Sequence, residues 1–283
     1  MEKALRSFYI VTNLDKEGAA RTEEEIRAYL LGSGARCQVR STAGSGRRGY
    51  TDPSRVPEDT DCVITIGGDG TLIQAARDLA GRKIPLIGVN RGHLGYLTQV
   101  NAGQGPEKML DALLTGRYQR DTRMMLEGQV VRKGRPVFSD IALNEIVISR
   151  KDMLKPLHFR IFVNGSFLND HTADGMIIAT PTGSTAYNLS AGGPIVMPGA
   201  RMILLTPICP HALNARSIIL PAEDEVKICV LEEGSIAAFD GDPADEVELG
   251  DEIVIRQSGL DTVLIQLEQV SFLQNLSNKM AGV

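Results

Sequence analysis

The sequence predicts two domains, an α/β N-terminal domain with a Rossmann-like parallel sheet and a mostly-β C-terminal domain of the sandwich type. Short apolar runs alternate with amphipathic helical patterns over about the first 120 residues, as in a parallel sheet covered by helices. From about Thr122 onward, closely spaced strand patterns follow with few helices between them. We therefore expect an α/β domain over residues 1–121, a β-sandwich over 122–265, and a tail, 266–283, that packs back on the first domain.

The elements of the first domain follow from local patterns. Strands are predicted where short runs are apolar throughout, at residues 8–11, 37–39, 62–66 and 85–89. Thr22 and Glu25 fit a capping box at the start of the first helix. A second helix is predicted after Gly70, because apolar side chains then recur at helical spacing.

In the second domain, residues 141–148 read as one strand, and Asn164-Gly165 predicts a tight hairpin. Arg132–Arg135 also reads as a turn. Further strands are predicted at 176–179, 203–205, 218–220, 226–231, 253–255 and 263–267, and a short helix at 272–280.

Composition excludes several classes of partner. The net charge of −5 argues against nucleic acid or an anionic membrane as the main partner. No apolar run approaches the ~18 residues that a membrane-spanning helix needs. The four cysteines form no CxxC pair, so neither a zinc site nor a redox pair is indicated. We therefore expect a cytoplasmic protein.

The segment Gly67–Thr71 (Gly-Gly-Asp-Gly-Thr) lies between a predicted strand and a predicted helix, where open α/β sheets bind ligands. Its glycines allow positive φ and close approach of a phosphate to the backbone, and the helix start supplies free amides. We predict a phosphate loop made of Gly67, Gly68, Gly70 and Thr71. The turn does not need Asp69, which makes that residue a catalytic candidate; the alternative is an Asp-Gly turn with an N-cap.

A second glycine-rich segment, Gly44–Gly49, matches the dinucleotide fingerprint GxGxxG. That fingerprint must open a helix, and here prolines follow instead. We therefore predict a loop without a ligand.

Two further segments carry polar groups at the ends of strands. Residues 90–97 follow the next parallel strand, and Tyr96 is placed to cover a sugar or an aromatic ring, whereas His93 reads as a loop or packing residue rather than a base. Asn144-Glu145 interrupts an apolar strand, where polar groups are costly to bury without hydrogen bonds. The pair is suited to grip a ribose diol, or else it lies at a strand edge facing solvent.

The densest polar segment is Asp174–Asn188, in which an apolar strand enters a Thr/Gly/Ser turn and a short helix. Hydroxyl groups and free amides at such a helix start can bind a base edge or a phosphate, and Tyr187 offers a stacking face. Asp240-Gly241 reads first as a hairpin turn.

Together these motifs resemble those of the NAD kinase family, in the family's order, over about residues 60 to 245. The resemblance rests on GGDGT at 67–71, GHLGY at 92–96, NE at 144–145, DG and TPTGSTAY within 174–187, GGPIVMP, and DG at 240–241. It implies an enzyme that transfers a phosphoryl group from ATP or polyphosphate to the adenosine ribose 2′-hydroxyl of NAD, giving NADP. It also implies a divalent cation, Mg²⁺ by default, and a homodimer or homotetramer.

The resemblance also assigns roles to residues. It makes Asp69 the general base or orienting residue, places Asn144 and Glu145 on ribose, and leaves the metal ligands unidentified. The full substrate-binding set it implies is Gly68, Asp69, Gly70, Tyr96, Asn144, Glu145, Asp174, Thr182, Thr185, Ala186, Tyr187, Ser190 and Asp240. Asp242 stands where many relatives carry glutamine, which lowers the weight placed on Asp240 as a contact.

Two rival hypotheses explain part of the pattern. A lipid kinase of the diacylglycerol or sphingosine type would account for Gly67–Thr71 but not for Thr182–Tyr187. A non-catalytic NAD-binding sensor would have no need of the Asp69 carboxylate beside the phosphates.

Overall fold

The computed structural model describes residues 2–42, 51–92, 95–101, 105–151, 155–212, 214–244, 247–267 and 272–280. The chain forms two compact units, one made of Met1–Thr122 with Thr262–Val283 and the other of Arg123–Asp261. Residues 262–265, which the sequence assigns to the second domain, belong to the first unit. There, Leu264 pairs in parallel with Leu86.

The described strands are β1 (Ser7–Asn13), β2 (Arg36–Thr42), β3 (Cys62–Gly67), β4 (Leu86–Asn90), β5 (Val100–Asn101), β6 (Gln119–Arg132), β7 (Arg135–Ala142), β8 (Glu145–Arg150), β9 (Leu157–Val163), β10 (Ser166–Ala173), β11 (Gly175–Ala179), β12 (Met202–Ile208), β13 (Ile218–Pro221), β14 (Val226–Val230), β15 (Ser235–Phe239), β16 (Asp242–Pro243) and β17 (Glu252–Gln266). The described α-helices are α1 (Ala19–Gly32), α2 (Asp69–Asp78), α3 (Glu107–Thr115), α4 (Tyr187–Ser190) and α5 (Phe272–Met280). Short 3-10 turns cover Pro53–Arg55 and Thr182–Thr185.

The first unit is built on a parallel sheet in the order β4-β3-β1-β2. The residues of β1 and β3 are buried throughout, which explains why their sequences are continuous apolar runs rather than alternating ones. Side chains from α1 and α3, among them Leu30 and Leu110, pack with these strands in one core. Because the strands are parallel, Asn13, Gly67 and Asn90 end at the same edge of the sheet.

The second unit contains two groups of antiparallel strands. One sheet has the order β13-β12-β11-β8-β15-β16, and the other strand group includes β10-β9-β14-β17. Inward side chains of both groups, including Phe159 and Phe239, form a single buried cluster. This arrangement confirms the predicted sandwich-type domain, because two strand groups share one buried core and strands such as β9 and β14 alternate between buried and more exposed residues.

The structure corrects three sequence predictions. The first helix begins at Ala19, and Thr22 lies inside it with its hydroxyl bonded to the Gly18 carbonyl, so the capping box was wrong. Residues 141–148 are two strands separated by Leu143 and Asn144. Residues 252–266 form one long strand where two were predicted.

Two hairpins are as predicted, since Asn164-Gly165 and Asp240-Gly241 both have positive φ at each central position. The GxGxxG segment at 44–49 and His93 lie outside the described residues. In the described part of the chain, no helix is long and apolar enough to span a membrane.

Candidate active-site elements in the two units

The loop after β3 carries the candidate phosphate site of the first unit. Gly68 precedes α2, and Asp69 lies in the first helical turn, where backbone amides lack partners within the helix. A side chain at Gly67 would overlap Thr71, whereas one at Gly68 or Gly70 would meet no atom within 4 Å. None of these three glycines has a positive φ, so that part of the sequence argument was wrong. Their contribution is close packing at Gly67 and open space beside the backbone at Gly68 and Gly70.

The Asp69 carboxylate is held by the loop at residues 95–98. Its Oδ2 accepts hydrogen bonds from the backbone N–H groups of Tyr96, at 2.7 Å, and Leu97, at 3.3 Å. Its Oδ1 accepts from the backbone N–H of Thr98 at 2.9 Å and from the Thr98 hydroxyl at 2.8 Å. A methyl group at Gly95 would overlap the carboxylate. Glycine is therefore required at 95 for the loop to close over Asp69.

In the second unit, the bend at Leu143–Asn144 is organised by the Asp240 carboxylate. Asp240 Oδ2 accepts from the Leu143 N–H at 2.7 Å, and its Oδ1 accepts from the N–H groups of Asn144 and Glu145 at 2.7 and 3.0 Å. The Asp240 N–H in turn donates to the Glu145 carbonyl. Three successive backbone N–H groups thus donate to one carboxylate. This fixes the backbone positions from which the side chains of Asn144 and Glu145 extend.

Asn144 and Glu145 are both buried, at 7% and 8% exposure, which excludes the solvent-facing alternative. Asn144 Oδ1 and Glu145 Oε2 have no hydrogen-bond partner among the residues that the structure describes. Burial, and then the nearby charge of Asp240, raise the pKa of Glu145 to about 8. Unpaired buried oxygens are costly, and a ligand that donates hydrogen bonds to them would remove the cost.

The turn after β11 packs directly on this bend. The Thr180 N–H donates to the Asn144 carbonyl at 2.8 Å, and the Thr180 hydroxyl donates to the Leu143 carbonyl at 2.6 Å. A side chain at Gly183 would overlap the Asn144 backbone. The turn therefore brings Thr182 close to the polar pair, and Arg123 donates to the Thr182 hydroxyl at 3.2 Å.

The rest of the turn and α4 present side chains of very different exposure. Thr185 is buried, with its hydroxyl 3.4 Å from the Thr182 carbonyl, and Ala186 is half-buried. Tyr187 and Ser190 are exposed. Asn188 holds the helix in place, because it bonds the Ser184 and Pro194 carbonyls and accepts from Thr206.

Asp174 lies apart from this group. It precedes β11, whose far end pairs Ala179 with Glu145, so Asp174 and Glu145 lie at opposite ends of that strand within the unit. Its carboxylate pairs with Arg150 at 2.8 Å. The structure thus brings Asn144, Glu145, Thr182 and Asp240 together but leaves Asp174 elsewhere in the same unit.

Sequence reasoning missed Thr98 and Arg123 as members of these clusters. Thr98 lies just beyond the motif at 92–96, Arg123 lies near none of the motifs, and neither stands out by type or spacing. Asp240 was predicted as a substrate contact of lowered weight, but its role as the acceptor of three backbone N–H groups was not predicted.

Comparison with known proteins places this geometry in a family. The profile of the ATP-NAD kinase N-terminal domain matches residues 8–118, and that of the ATP-NAD kinase C-terminal domain matches residues 143–267. An NAD kinase of Lachnospira eligens is 45% identical over 98% of this chain and 100% of its own length. The chain belongs to the NAD kinase family. NAD kinases are phosphotransferases, and this chain is an enzyme of that class.

Other NAD kinases support the same assignment. The NAD kinase of Lachnoclostridium phytofermentans is 39% identical over 97% of this chain and 99% of its own length. The crystal structure of yeast NADH kinase complexed with NADH matches with a TM-score of 0.84 at 26% identity, covering 99% of this chain and 89% of that one. The structure of an NAD kinase from Archaeoglobus fulgidus in complex with ATP matches with a TM-score of 0.75 at 25% identity, covering 98% and 99%.

Proposed function

We propose that this NAD kinase family member transfers the γ-phosphoryl group of ATP to the adenosine ribose 2′-hydroxyl of NAD, with Asp69 as the proton acceptor. The bond between the γ-phosphorus and the bridging oxygen of ATP breaks, and a bond from that phosphorus to the ribose 2′-oxygen forms. The hydroxyl proton passes to the Asp69 carboxylate, and ADP and NADP leave. Polyphosphate is the alternative donor.

The observation that carries this proposal is the setting of Asp69. Its carboxylate lies in the first turn of α2, beside glycine backbone with open space around it, and four hydrogen bonds from one loop fix its orientation. A ribose hydroxyl is a very weak acid, so the carboxylate orients the oxygen and accepts the proton late, as a loose transition state permits.

The four hydrogen bonds also suggest which lone pair of the Asp69 carboxylate accepts the proton of the ribose hydroxyl. A carboxylate has about four acceptor positions, and the loop at residues 95–98 uses all of them. The Leu97 contact to Oδ2, at 3.3 Å, is the longest of the four. We propose that the ribose hydroxyl takes its place.

In the second unit, the buried polar pair Asn144 and Glu145 is proposed to bind the substrate. Glu145 in its ionised form would accept the ribose hydroxyls, Asn144 would bond beside it, and Asp240 would hold both in place through their backbone amides. The other proposed contacts are those of Gly68, Gly70, Tyr96, Asp174, Thr182, Thr185, Ala186, Tyr187 and Ser190. The proposed functional division keeps the boundaries 1–121, 122–265 and 266–283, except that residues 262–265 lie in the first unit.

The divalent cation is proposed to arrive with the donor. Magnesium commonly binds through substrate phosphates with only one or two carboxylates. This fits the described residues, among which no group of three or more His, Cys, Asp or Glu side chains could hold a metal ion. When bound, Mg²⁺ would neutralise charge on the phosphates. We further propose a cytoplasmic location, in keeping with four free cysteines, and a homodimer or homotetramer.

The test is turnover by the purified protein with NAD, ATP and magnesium, followed by an NADP-specific coupled assay. We expect NADP from the parent and a loss of about 10² to 10⁴ in kcat for Asp69→Asn. The matched control is Asp111→Asn, on the exposed face of α3, which should keep parental kcat. Polyphosphate replaces ATP in a parallel arm. Phosphorylation of diacylglycerol or sphingosine but never of NAD would overturn the proposal.

A further inference from the structure

Thr98 lies at the centre of a buried hydrogen-bond cluster that includes Asp69. Its side chain is 1% exposed. The hydroxyl oxygen lies 2.8 Å from Asp69 Oδ1, 2.9 Å from Asn90 Nδ2 and 3.2 Å from the backbone nitrogen of Gly95. The Thr98 backbone N–H reaches the same Oδ1 at 2.9 Å.

The direction of each hydrogen bond in this cluster follows from the chemistry of the partners. The Gly95 N–H and the Asn90 amide nitrogen are donors, so they occupy the two lone pairs of the Thr98 hydroxyl. A hydroxyl has a single hydrogen, which is then left for the Asp69 carboxylate. The Thr98 hydroxyl is therefore a donor of fixed direction, and it cannot turn away without losing two other bonds.

We propose that Thr98 is a positioning residue of the phosphoryl-transfer reaction, because its hydroxyl fixes the rotation of the Asp69 carboxylate. This inference rests on the proposed role of Asp69 as proton acceptor. Two bonds from one residue to Oδ1 lock that oxygen, and Oδ2 is then the one that faces the reacting hydroxyl. Without the Thr98 hydroxyl, Oδ1 keeps only the Thr98 N–H, and Asn90 and the Gly95 N–H lose the acceptor that ties them to Thr98. The carboxylate is then held less tightly about its Cβ–Cγ bond, and fewer molecules present Oδ2 correctly.

The expected effect is on kcat rather than on NAD binding, because Thr98 would act through Asp69 and not touch the substrate. Small misplacements of a reacting group cost up to about a hundredfold in rate. We expect Thr98→Ala to lower kcat by about 10- to 100-fold, with the KM for NAD within about threefold of the parental value.

A matched pair of substitutions isolates the hydroxyl. Thr98→Ala and Thr98→Ser both lose the methyl group that packs against Gly88, but only serine keeps the oxygen. Thr98→Ser should therefore recover most of the lost kcat. Thr65→Ala is the stability control, since Thr65 is equally buried in β3 and its hydroxyl faces the Ile87 carbonyl. It should lower the melting temperature without the same loss of kcat.

Combination with Asp69→Asn separates the two proposals. If Thr98 acts through Asp69, Thr98→Ala should cost little further kcat in the Asp69→Asn background. Should Asp69→Asn lose kcat while Thr98→Ala keeps it, the positioning role is wrong and the role of Asp69 stands. Parental kcat in Asp69→Asn overturns both.

Two further results decide the remaining cases. If Thr98→Ser loses as much kcat as Thr98→Ala, the effect comes from packing, and the inference is overturned. If melting curves show Thr98→Ala to be unfolded at the assay temperature, Thr98→Val takes its place, because valine keeps the packing methyl and lacks only the hydroxyl. A valine variant with parental kcat overturns the inference in the same way.

Discussion

Among the single residues of the second unit, Glu145 combines deep burial with an oxygen that lacks a partner among the described residues. Burial disfavours its charged form, and the Asp240 carboxylate adds like-charge repulsion, so its pKa is raised to about 8. In the free protein at neutral pH, this carboxyl group is therefore mostly protonated. A ribose diol donates hydrogen bonds, which favours the ionised form.

NAD affinity should consequently depend on pH through Glu145. Binding to the ionised form must displace a proton below pH 8, so the apparent dissociation constant should rise about tenfold from pH 9 to pH 7. Equilibrium titration with NAD across that range, without ATP, measures the effect. Glu145→Gln cannot ionise and should give weaker binding with a flat profile. A parental profile that is already flat would mean that Glu145 does not bind the diol in its ionised form.

Gly95 is the second residue whose chemistry predicts a specific defect. A methyl group there would overlap the Asp69 carboxylate and push it away from the loop. We expect Gly95→Ala to lower kcat by about 10² or more, as in removal of the proton acceptor, while NAD still binds. In the same loop, Gly92→Ala places its methyl at an ordinary 3.6 Å from Asn90 Oδ1 and should lose far less. Equal losses in the two variants would contradict this account.

At the level of elements, the hairpin between β15 and β16 supports the bend before β8. Asp240→Ala removes the acceptor of three backbone N–H groups and frees the bend to move. We expect the dissociation constant for NAD to rise about 10- to 100-fold, as for the loss of hydrogen bonds to a charged group. Asp224→Ala, which removes a contact to Asn164 at another hairpin, is the control. Unchanged NAD affinity in Asp240→Ala would show that the bend is held without this carboxylate.

Most elements could be predicted because their signals are local. The apolar runs of β1 and β3, and the turn at Asn164-Gly165, needed no knowledge of distant residues. The break at Leu143–Asn144 could not be predicted in this way, because it depends on a carboxylate about 95 residues later. Strand β17 was predicted as two strands because its middle, residues 256–262, is mostly polar and interrupts the apolar pattern.

The candidate residues were predicted better than their roles. Motifs identify Asp69, Asn144 and Glu145, which are distinctive polar groups beside apolar strands. The support from Thr98 and Asp240 depends on which backbone amides meet which side chain, and that is set by loop geometry. The separation of Asp174 from Glu145 follows from strand register, which spacing along the chain does not reveal.

At the scale of the whole molecule, the number of chains in the oligomer can be measured directly. The chain has a mass of 30.6 kDa, and the resemblance predicts two or four copies. Size-exclusion chromatography with light scattering should give twice or four times that mass, independent of protein concentration over the assay range. A mass of one chain in a sample with full activity would rule out an obligate oligomer.

The three amides around Asp240 form an anion site that is filled from within the chain. Truncation at this position leaves N–H groups of Leu143, Asn144 and Glu145 pointing at a space the size of a small carboxylate. Formate or acetate added to Asp240→Ala should therefore restore part of the lost NAD affinity, saturably and with little effect on the parent protein. Chloride at equal ionic strength is the comparison, since it has charge but not the two oxygens. If the hairpin aspartate acts as an internal ligand, an external one will substitute for it.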